Sequence, residues 1–532
     1  MKKLKSLKSL QLTTIGRWSA VLLIAAGTQT LVSPSLHAAA IKREITDSGI
    51  TSAVEDGLRN EKGVFPNDVD VSTSQGIAVL SGSVDNLLAK ERAVKIAESI
   101  RGVRGVVDRI TVTPVSRPDE DIRKNTLAAL QQDPATESYQ IAVSVQDAVA
   151  TLSGSVGSYA ERQLAARVAK GVKGIKEVHN NVVINYLAKR TDAEIAADIK
   201  GRLQWDIWIN GAAITPVVKD GSVTLTGTVG SAISQDRALD DAWVYGVTAM
   251  DDTGLKVDPN PGEVARRKFE NASRSDSEIK LAVQAALHLD PRVTAFSPDV
   301  NVEGGAVILG GNVGNLKAKT AAAQDAKNIV GVLLVQNYLK VRPKSPTDAT
   351  EAAKQLKAAL FWDPLLDSST IDVAVINRVA YLSGGVDSAF EKAEAQDVAS
   401  RTKGVVLIRN HLKVEPEHLV ADYDYDYGYY GGYDYGYLGS PYYNLSPYYP
   451  SEMSGPQPYL SDEQIKKKIE DRFFWSPFVD RDDIKVTVDG AVATLTGTVG
   501  TWIGWGEAEK DAHNGGATAV LDRVTVNKGH WY

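Results

Sequence analysis

Six variants of one pentapeptide constrain this chain more than any other feature. They are Leu80-Ser81-Gly82-Ser83-Val84, Leu152-Ser153-Gly154-Ser155-Val156, Leu225-Thr226-Gly227-Thr228-Val229, Leu309-Gly310-Gly311-Asn312-Val313, Leu382-Ser383-Gly384-Gly385-Val386 and Leu495-Thr496-Gly497-Thr498-Val499. Their middle glycines lie 72, 73, 84, 73 and 113 residues apart. A period near 72, lengthened twice by inserted residues, means one small module used six times. A chain of 532 residues is in any case too long for a single core.

The residues around each pentapeptide spell out one order of elements. An opening helix comes first: Ile195, Ile199 and Leu203 share one face, as do Ile465, Ile469 and Phe473. Ser461 to Gln464 has the form of a capping box, and Ser275 to Glu278 and Thr347 to Thr350 offer similar starts. Asp133-Pro134, Asp290-Pro291, Asp363-Pro364 and Ser476-Pro477 then stop the helix, since proline disfavours helical geometry in the residue before it. Two alternating runs follow, joined by a turn that is clearest at Asp220-Gly221 and Asp489-Gly490.

The pentapeptide ends the second run. Its glycine is expected to allow the bend from strand to helix, with the flanking Ser or Thr lining the edge or capping the turn. An Ala-rich helix follows, clearest in Tyr159 to Val168 and Ala389 to Ala399. A second glycine stops it: Gly102, Gly174, Gly331 and Gly404 lie 20 residues after the first, and Gly246 and Gly516 lie 19 after theirs. A last alternating run, such as Val332, Val335, Asn337, Leu339 and Val341, closes the unit. The crossover helix predicts that this run is parallel to one hairpin strand. The third copy carries an extra residue before its last strand. In the sixth, Asn514-Gly515-Gly516 predicts a shortened second helix.

This α-β-β-α-β pattern resembles the BON domain (bacterial OsmY and nodulation). The resemblance rests on the Leu-Ser/Thr-Gly-x-Val element, the later Gly-Val-x-x-Val-x-Asn run and the order of elements between them. It covers 46–113, 118–186, 191–258, 274–342, 347–415 and 461–528. The expected fold is α+β: six tandem BON-like modules, each a small three-stranded mixed sheet with two helices. All twelve glycines (Gly82, Gly154, Gly227, Gly311, Gly384, Gly497 and Gly102, Gly174, Gly246, Gly331, Gly404, Gly516) are assigned structural roles.

Residues 1–40 read as a cleaved export signal. Lys2, Lys3, Lys5, Lys8 and Arg17 precede the apolar run Ala20 to Ala26, and cleavage is expected within 36–40, where Ala38-Ala39-Ala40 stands. The apolar run is short of the ~20 residues needed to span a bilayer. Removing the five basic residues takes the net charge from −7 to −12, which argues against nucleic acid as a partner and against purely electrostatic attachment to anionic lipid. With no cysteine, the chain has neither disulfides nor a lipid-bearing thiol.

Two insertions interrupt the period. Residues 259–273 form a Pro/Gly-containing linker with the basic triplet Arg266-Arg267-Lys268, read as a solvated helix face. Residues 416–460 form a Tyr/Gly/Pro-rich linker expected to be disordered; 13 of the 20 tyrosines fall between 421 and 460. Asp422, Asp424 and Asp426 imitate the start of a Ca²⁺ loop, but Tyr427 and Tyr433 stand where the glycine and the last glutamate belong.

No phosphate-binding, dinucleotide, metalloprotease or serine-hydrolase signature occurs, and His37, His179, His288, His411, His418, His513 and His530 show no ligand spacing. A non-enzymatic chain without metal or cofactor is the expectation. Trp205, Trp362 and Trp475 each lie 22 residues before their repeat glycine, in a slot held elsewhere by Asn60, Gln132 and Leu289. Such aromatics suit a membrane interface or sugar rings, or they cover the helix–sheet junction and pack neighbouring modules. The resemblance implies a periplasmic protein, peripheral to a membrane, binding phospholipid or envelope surfaces in envelope or osmotic stress. The alternative is a structural protein whose modules, or Tyr-rich linker, self-associate or scaffold envelope proteins.

Overall fold

The computed structural model describes residues 44–60, 69–133, 135–136, 139–209, 211–258, 274–343, 347–366, 368–386, 389–414, 460–479, 481–517 and 519–526. The export signal, the linker at 259–273 with its basic triplet, the tyrosine tract with its Asp422–Asp426 run, and His37, His418 and His530 lie outside the described residues.

Every module opens with a helix of 14 residues: Asp47–Asn60, Asp119–Gln132, Asp192–Trp205, Asp276–Leu289, Ala349–Trp362 and Asp462–Trp475. The i, i+4, i+8 stripe is buried as the spacing requires, with Ile195, Ile199 and Leu203 at 1%, 0% and 0% exposure. Each such side chain contributes about 1.5–3 kcal/mol. Module 2 places Thr126 in its stripe, and the buried hydroxyl donates to the Ile122 carbonyl at 2.8 Å. Capping boxes form at Ser275–Glu278 and Ser461–Gln464. Thr347 to Thr350 forms none; Asp348 alone caps its helix, accepting from the N–H groups of Thr350 and Glu351.

The aspartate that starts five of these helices fixes the hairpin. Asp47, Asp119, Asp192, Asp276 and Asp462 each accept two N–H groups from the turn 28 and 29 residues later, at 2.8–3.0 Å. A carboxylate bridging two turn donors ties helix to hairpin with charge-assisted bonds. In module 5 the corresponding residue is Ala349, and its turn residues Asn377 and Arg378 adopt left-handed φ of 50° and 67°.

In each sheet the second hairpin strand is central. It pairs antiparallel with the first strand and parallel with the closing one, as Leu80 does with Val71 and Asp108. In modules 1, 2, 3, 5 and 6 the repeat glycine lies inside this central strand, not at its bend to the helix, while Gly311 of module 4 interrupts it between Gly310 and Asn312. Gly154, Gly227, Gly384 and Gly497 adopt φ of +131°, +134°, +114° and +140°. A Cβ there would come within 2.0–2.2 Å of the carbonyl oxygen of Gln140, Ala213, Thr370 or Asp483 at the start of the first strand. Close backbone approach is therefore what demands glycine. The strand-to-helix turn is capped four residues later by Asn86, Ser158, Ser231, Asn315 and Thr501.

The crossover helices are Leu87–Glu98, Tyr159–Lys170, Ala232–Ala242, Leu316–Lys327, Ala389–Arg401 and Trp502–Asn514. The last has 13 residues, so the helix of module 6 is not shortened; Gly515 serves as its C-cap. All six stop glycines take positive φ, from +85° to +104°. The motif's asparagine ties the closing strand to this helix. Asn180, Asn337 and Asn410 donate to the carbonyls of Arg162, Lys319 and Lys392, each 18 residues earlier. Module 1 has Asp108 there, paired with Lys90 at 3.1 Å from the same helical position. In module 3 the extra residue appears as a register shift between Thr224 and Thr226.

Candidate functional site

From Ile45 onward the described residues form one compact unit, and the modules meet at the ends of their opening helices. Each of the three tryptophans sits at such an end, half-buried. Trp205 packs against the core of module 4. Its carbonyl accepts the Val330 N–H at 2.9 Å, the Ile207 N–H donates to the Asn328 carbonyl at 2.9 Å, and Trp208 Nε1 donates to Asn328 Oδ1 at 3.2 Å. The Arg274 guanidinium lies 4.8 Å over the indole.

Trp362 reaches module 2 in the same way. Its carbonyl accepts the Lys173 N–H at 3.1 Å and its ring lies under Arg117 at 3.8 Å, while Lys403 Nζ donates back to the Gln131 carbonyl at 2.9 Å. Trp475 joins the core of module 1, where a Cβ on Gly49 would come within 2.9 Å of the indole. The Arg101 N–H donates to the Trp475 carbonyl at 2.7 Å, and the Arg101 guanidinium donates to the Ser476 carbonyl at 2.9 Å. Arg472 pairs with Asp56 at 2.9 Å.

The three donating N–H groups, on Arg101, Lys173 and Val330, sit just before the stop glycines Gly102, Gly174 and Gly331. Modules with tryptophan in the slot (3, 5 and 6) therefore insert it into modules without one (4, 2 and 1). The pairs nest: 3 with 4, 2 with 5, 1 with 6. Lipid contact by these indoles in the folded chain would require a junction to part.

The crossover helices face a cavity of about 2630 Å³ lined by residues of all six modules. Ion pairs link modules across it: Lys170 with Glu91, Lys95 with Asp236, and Lys317 with Asp397. Tyr159 stacks on Trp243 at 4.1 Å, and Trp208 meets Phe478 edge-on at 4.9 Å. The aspartates that stop the opening helices lie at these junctions too. Asp206 pairs with Arg237 at 2.7 Å, Asp290 with Arg292, and Asp363 with Arg401 at 3.9 Å.

Burial sets the protonation of the acids around them. It pushes Glu394 up to about 8, helped by the Asp363 and Asp397 carboxylates and opposed by Arg401 and Lys317. Burial likewise raises Glu98 to about 7 against the pull of Lys95, and raises Asp241 and Asp325, each beside a second carboxylate, Asp206 and Asp290. Asp397 and Asp290 go the other way: burial would raise both, but Lys317 and Arg401 hold Asp397 low and Arg292 holds Asp290 low. These inward acids escaped the sequence reading. A signal existed, since Asp241 and Asp325 each stand 35 residues after the helix-stopping aspartate of their own module.

Among the described residues no group of three or more His, Asp or Glu is placed to hold a metal ion. His179 is exposed and pairs with Glu177 at 3.0 Å. No helix among them is long and apolar enough to cross a membrane.

Six α-β-β-α-β units interlocked through their helix ends define a multi-module repeat protein. The chain belongs to the BON domain family, whose model matches 46–114, 118–186, 191–259, 275–343, 348–416 and 461–528. It is similar to osmotically-inducible protein Y of Escherichia coli (strain K12), 32% identical over 143 residues that make up 26% of this chain and 71% of the relative. It is also similar to the outer membrane lipoprotein DolP of Haemophilus influenzae, 31% identical over 157 residues, 29% of this chain and 72% of the relative. Among solved structures, CdsD, a structural protein of the type III secretion system of Chlamydia trachomatis, aligns at 16% identity and a TM-score of 0.11, covering 38% of this chain and 90% of that one.

Proposed function

We propose that this chain is an exported, periplasmic, non-enzymatic protein that holds phospholipid or envelope surfaces through many weak contacts and protects the envelope under osmotic or related stress. The observation that carries the reading is sixfold use of a domain whose relatives are an osmotically inducible protein and an outer membrane lipoprotein. Linked weak sites gain avidity without any one strong pocket.

The surface assigned to this task is the sheet face that the helices leave bare. It is most apolar in module 5, where Ile376, Val379 and Leu407 form one row across three strands and Tyr381 stands in the next. Ile376 is 57% exposed. The corresponding row in module 2 is Gln146, Val149 and Glu177. An acidic chain binding through apolar rows should keep its lipid affinity in salt. Sedimentation of the mature chain with phosphatidylethanolamine–phosphatidylglycerol vesicles tests this, and binding that survives about 0.5 M salt is expected, where the Debye length is only a few Å. Failure to sediment with any phospholipid mixture at low salt would sink the reading. Ile376→Ser, Tyr381→Ser and Leu407→Ser together should weaken binding several-fold if module 5 contributes.

A further inference from the structure

Module 6 fills one position of its closing strand differently from the other modules. In modules 2, 4 and 5 that position holds Asn180, Asn337 or Asn410. Oδ1 of each accepts the N–H two residues on, from Val182, Leu339 or Leu412, at 3.2–3.4 Å. Nδ2 donates at 2.7–2.9 Å to the carbonyl of Arg162, Lys319 or Lys392, which stands eight places after the repeat glycine. Module 1 has Asp108, whose Oδ1 accepts from Ile110 at 3.0 Å while Oδ2 meets the ammonium of Lys90, again eight places after its glycine. In module 3 the register shift falls at this point.

Module 6 keeps the acid and lacks the lysine. Asp522 pairs with the buried Leu495 on the inward side of the sheet, and its Oδ1 accepts the Val524 N–H at 2.7 Å. Oδ2 is buried and has no hydrogen-bond partner among the described residues. Eight places after Gly497 stands Trp505, which packs on the core of the module and offers an acid no charge. By the geometry of modules 2, 4 and 5, the group that the helix presents there is a carbonyl oxygen. The charged side chain facing Asp522 is Glu509, one turn further along the same helix. Its inward neighbours on the strands, Val520, Val524 and Val486, are apolar, and Arg523 points to the opposite face. A carboxylate would be repelled by both the carbonyl and Glu509, whereas a neutral carboxyl has a proton to donate as the asparagine amide does.

We propose that Asp522 is held protonated in the folded chain and donates to the Trp505 carbonyl, so that module 6 fastens its closing strand with a titratable bond where modules 2, 4 and 5 use a permanent one. Burial acts in that direction and Glu509 adds to it, together raising the Asp522 carboxyl above its ordinary value. The bond therefore contributes in full below that ordinary value. Its contribution falls as pH rises towards the folded value and levels off above it. The closing strand remains paired along Ala519 to Val526, so its loosening and not its departure is the consequence.

Amide hydrogen exchange of the full-length chain, corrected for the intrinsic rate at each pH, tests this. Protection of residues 519–526 should fall several-fold between about pH 4 and 8, roughly tenfold for each unit by which the fold raises the acid. The equivalent strand of module 4, Leu334–Asn337, carries the asparagine and should keep its protection. Asp522→Asn should match the native chain at pH 4 and hold that protection at pH 8. Asp522→Leu, which has similar size and no donor, should be weakly protected at both. A fall of the same size in Asp522→Asn would overturn the proposal. So would native protection that stays constant over this range, or an Asp522→Leu strand as protected as the native one at pH 4.

Discussion

The interiors of the six modules repeat more strictly than the junctions between them. Inside, the same apolar positions recur, and the central-strand leucines Leu80, Leu152, Leu225, Leu309, Leu382 and Leu495 are all fully buried. Between modules, each nested junction seats a slot tryptophan against the N–H just before a stop glycine, yet the surroundings of the ring vary. Trp205 and Trp362 have Arg274 and Arg117 over their rings, each two residues before the aspartate that starts its module's opening helix, while Trp475 has a glycine beneath it. A repeated interior makes six copies of a fold, while the slot residue and the groups around it select which copy meets which.

The largest effect should come from Phe473→Ala, which opens a cavity in the core of module 6 and should cost about 3–5 kcal/mol of that module's stability. Denaturant unfolding should show a new early transition confined to module 6. A single unshifted transition would mean that the interior is less decisive than its burial implies.

Changing the pH should act on the junctions and spare the interiors. Glu394 has a folded pKa of about 8, above its usual 4.5, so its protonated form belongs to the folded state. Its contribution to stability is therefore complete below the usual value, falls as pH rises between the two, and levels off above the folded one. Ionisation there adds a negative charge among Asp363, Asp397, Asp133, Arg401 and Lys317, the groups contributed by modules 2, 4 and 5. The loss should amount to a few kcal/mol at most. Glu394→Gln should flatten the fall in melting temperature between pH 5 and 8. An equal fall in that variant would move the effect to other acids.

Smallest is a gain. Ala349→Asp would supply module 5 with the carboxylate that holds the hairpin turn in the other five, and about 0.5–1.5 kcal/mol of stabilisation is expected. Hydrogen exchange at Asn377 and Arg378 should slow. Unchanged exchange would show that the turn in module 5 is held by other means.

The contrast explains what the sequence disclosed. A module's determinants lie within some 70 residues and recur, so the order of elements, a parallel last strand and the helix stripes were all legible, while the hairpin strand it pairs with was not. Three local readings needed correction. Thr347 to Thr350 forms no capping box, and the second helix of module 6 keeps its full length. In modules 2, 3, 5 and 6 the repeat glycine answers to a carbonyl at the start of the neighbouring strand, which no linear pattern displays. First-turn aspartates such as Asp192 do start helices, and their second role as hairpin ties stayed hidden because the partners lie 28 residues away. The junctions were far less legible. Gln132 and Trp362 share one slot of the repeat, and what that slot meets depends on a module that is distant in sequence. Asp363 read as a helix stop before proline; it lies beside Arg401 of its own module and within reach of Lys173 of module 2, which no local pattern displays.

Nesting of the junctions also orders events in time. A chain emerging from its N-terminus completes the pair of modules 3 and 4 first, the pair 2 and 5 next, and the pair 1 and 6 last. Arg101 waits 375 residues for Ser476, and Asp56 waits 416 for Arg472. Contacts that close long loops form late, whatever their final strength. A newly made chain therefore spends an interval with its first module folded and uncovered, and that interval is set by the rate at which the rest of the polypeptide arrives.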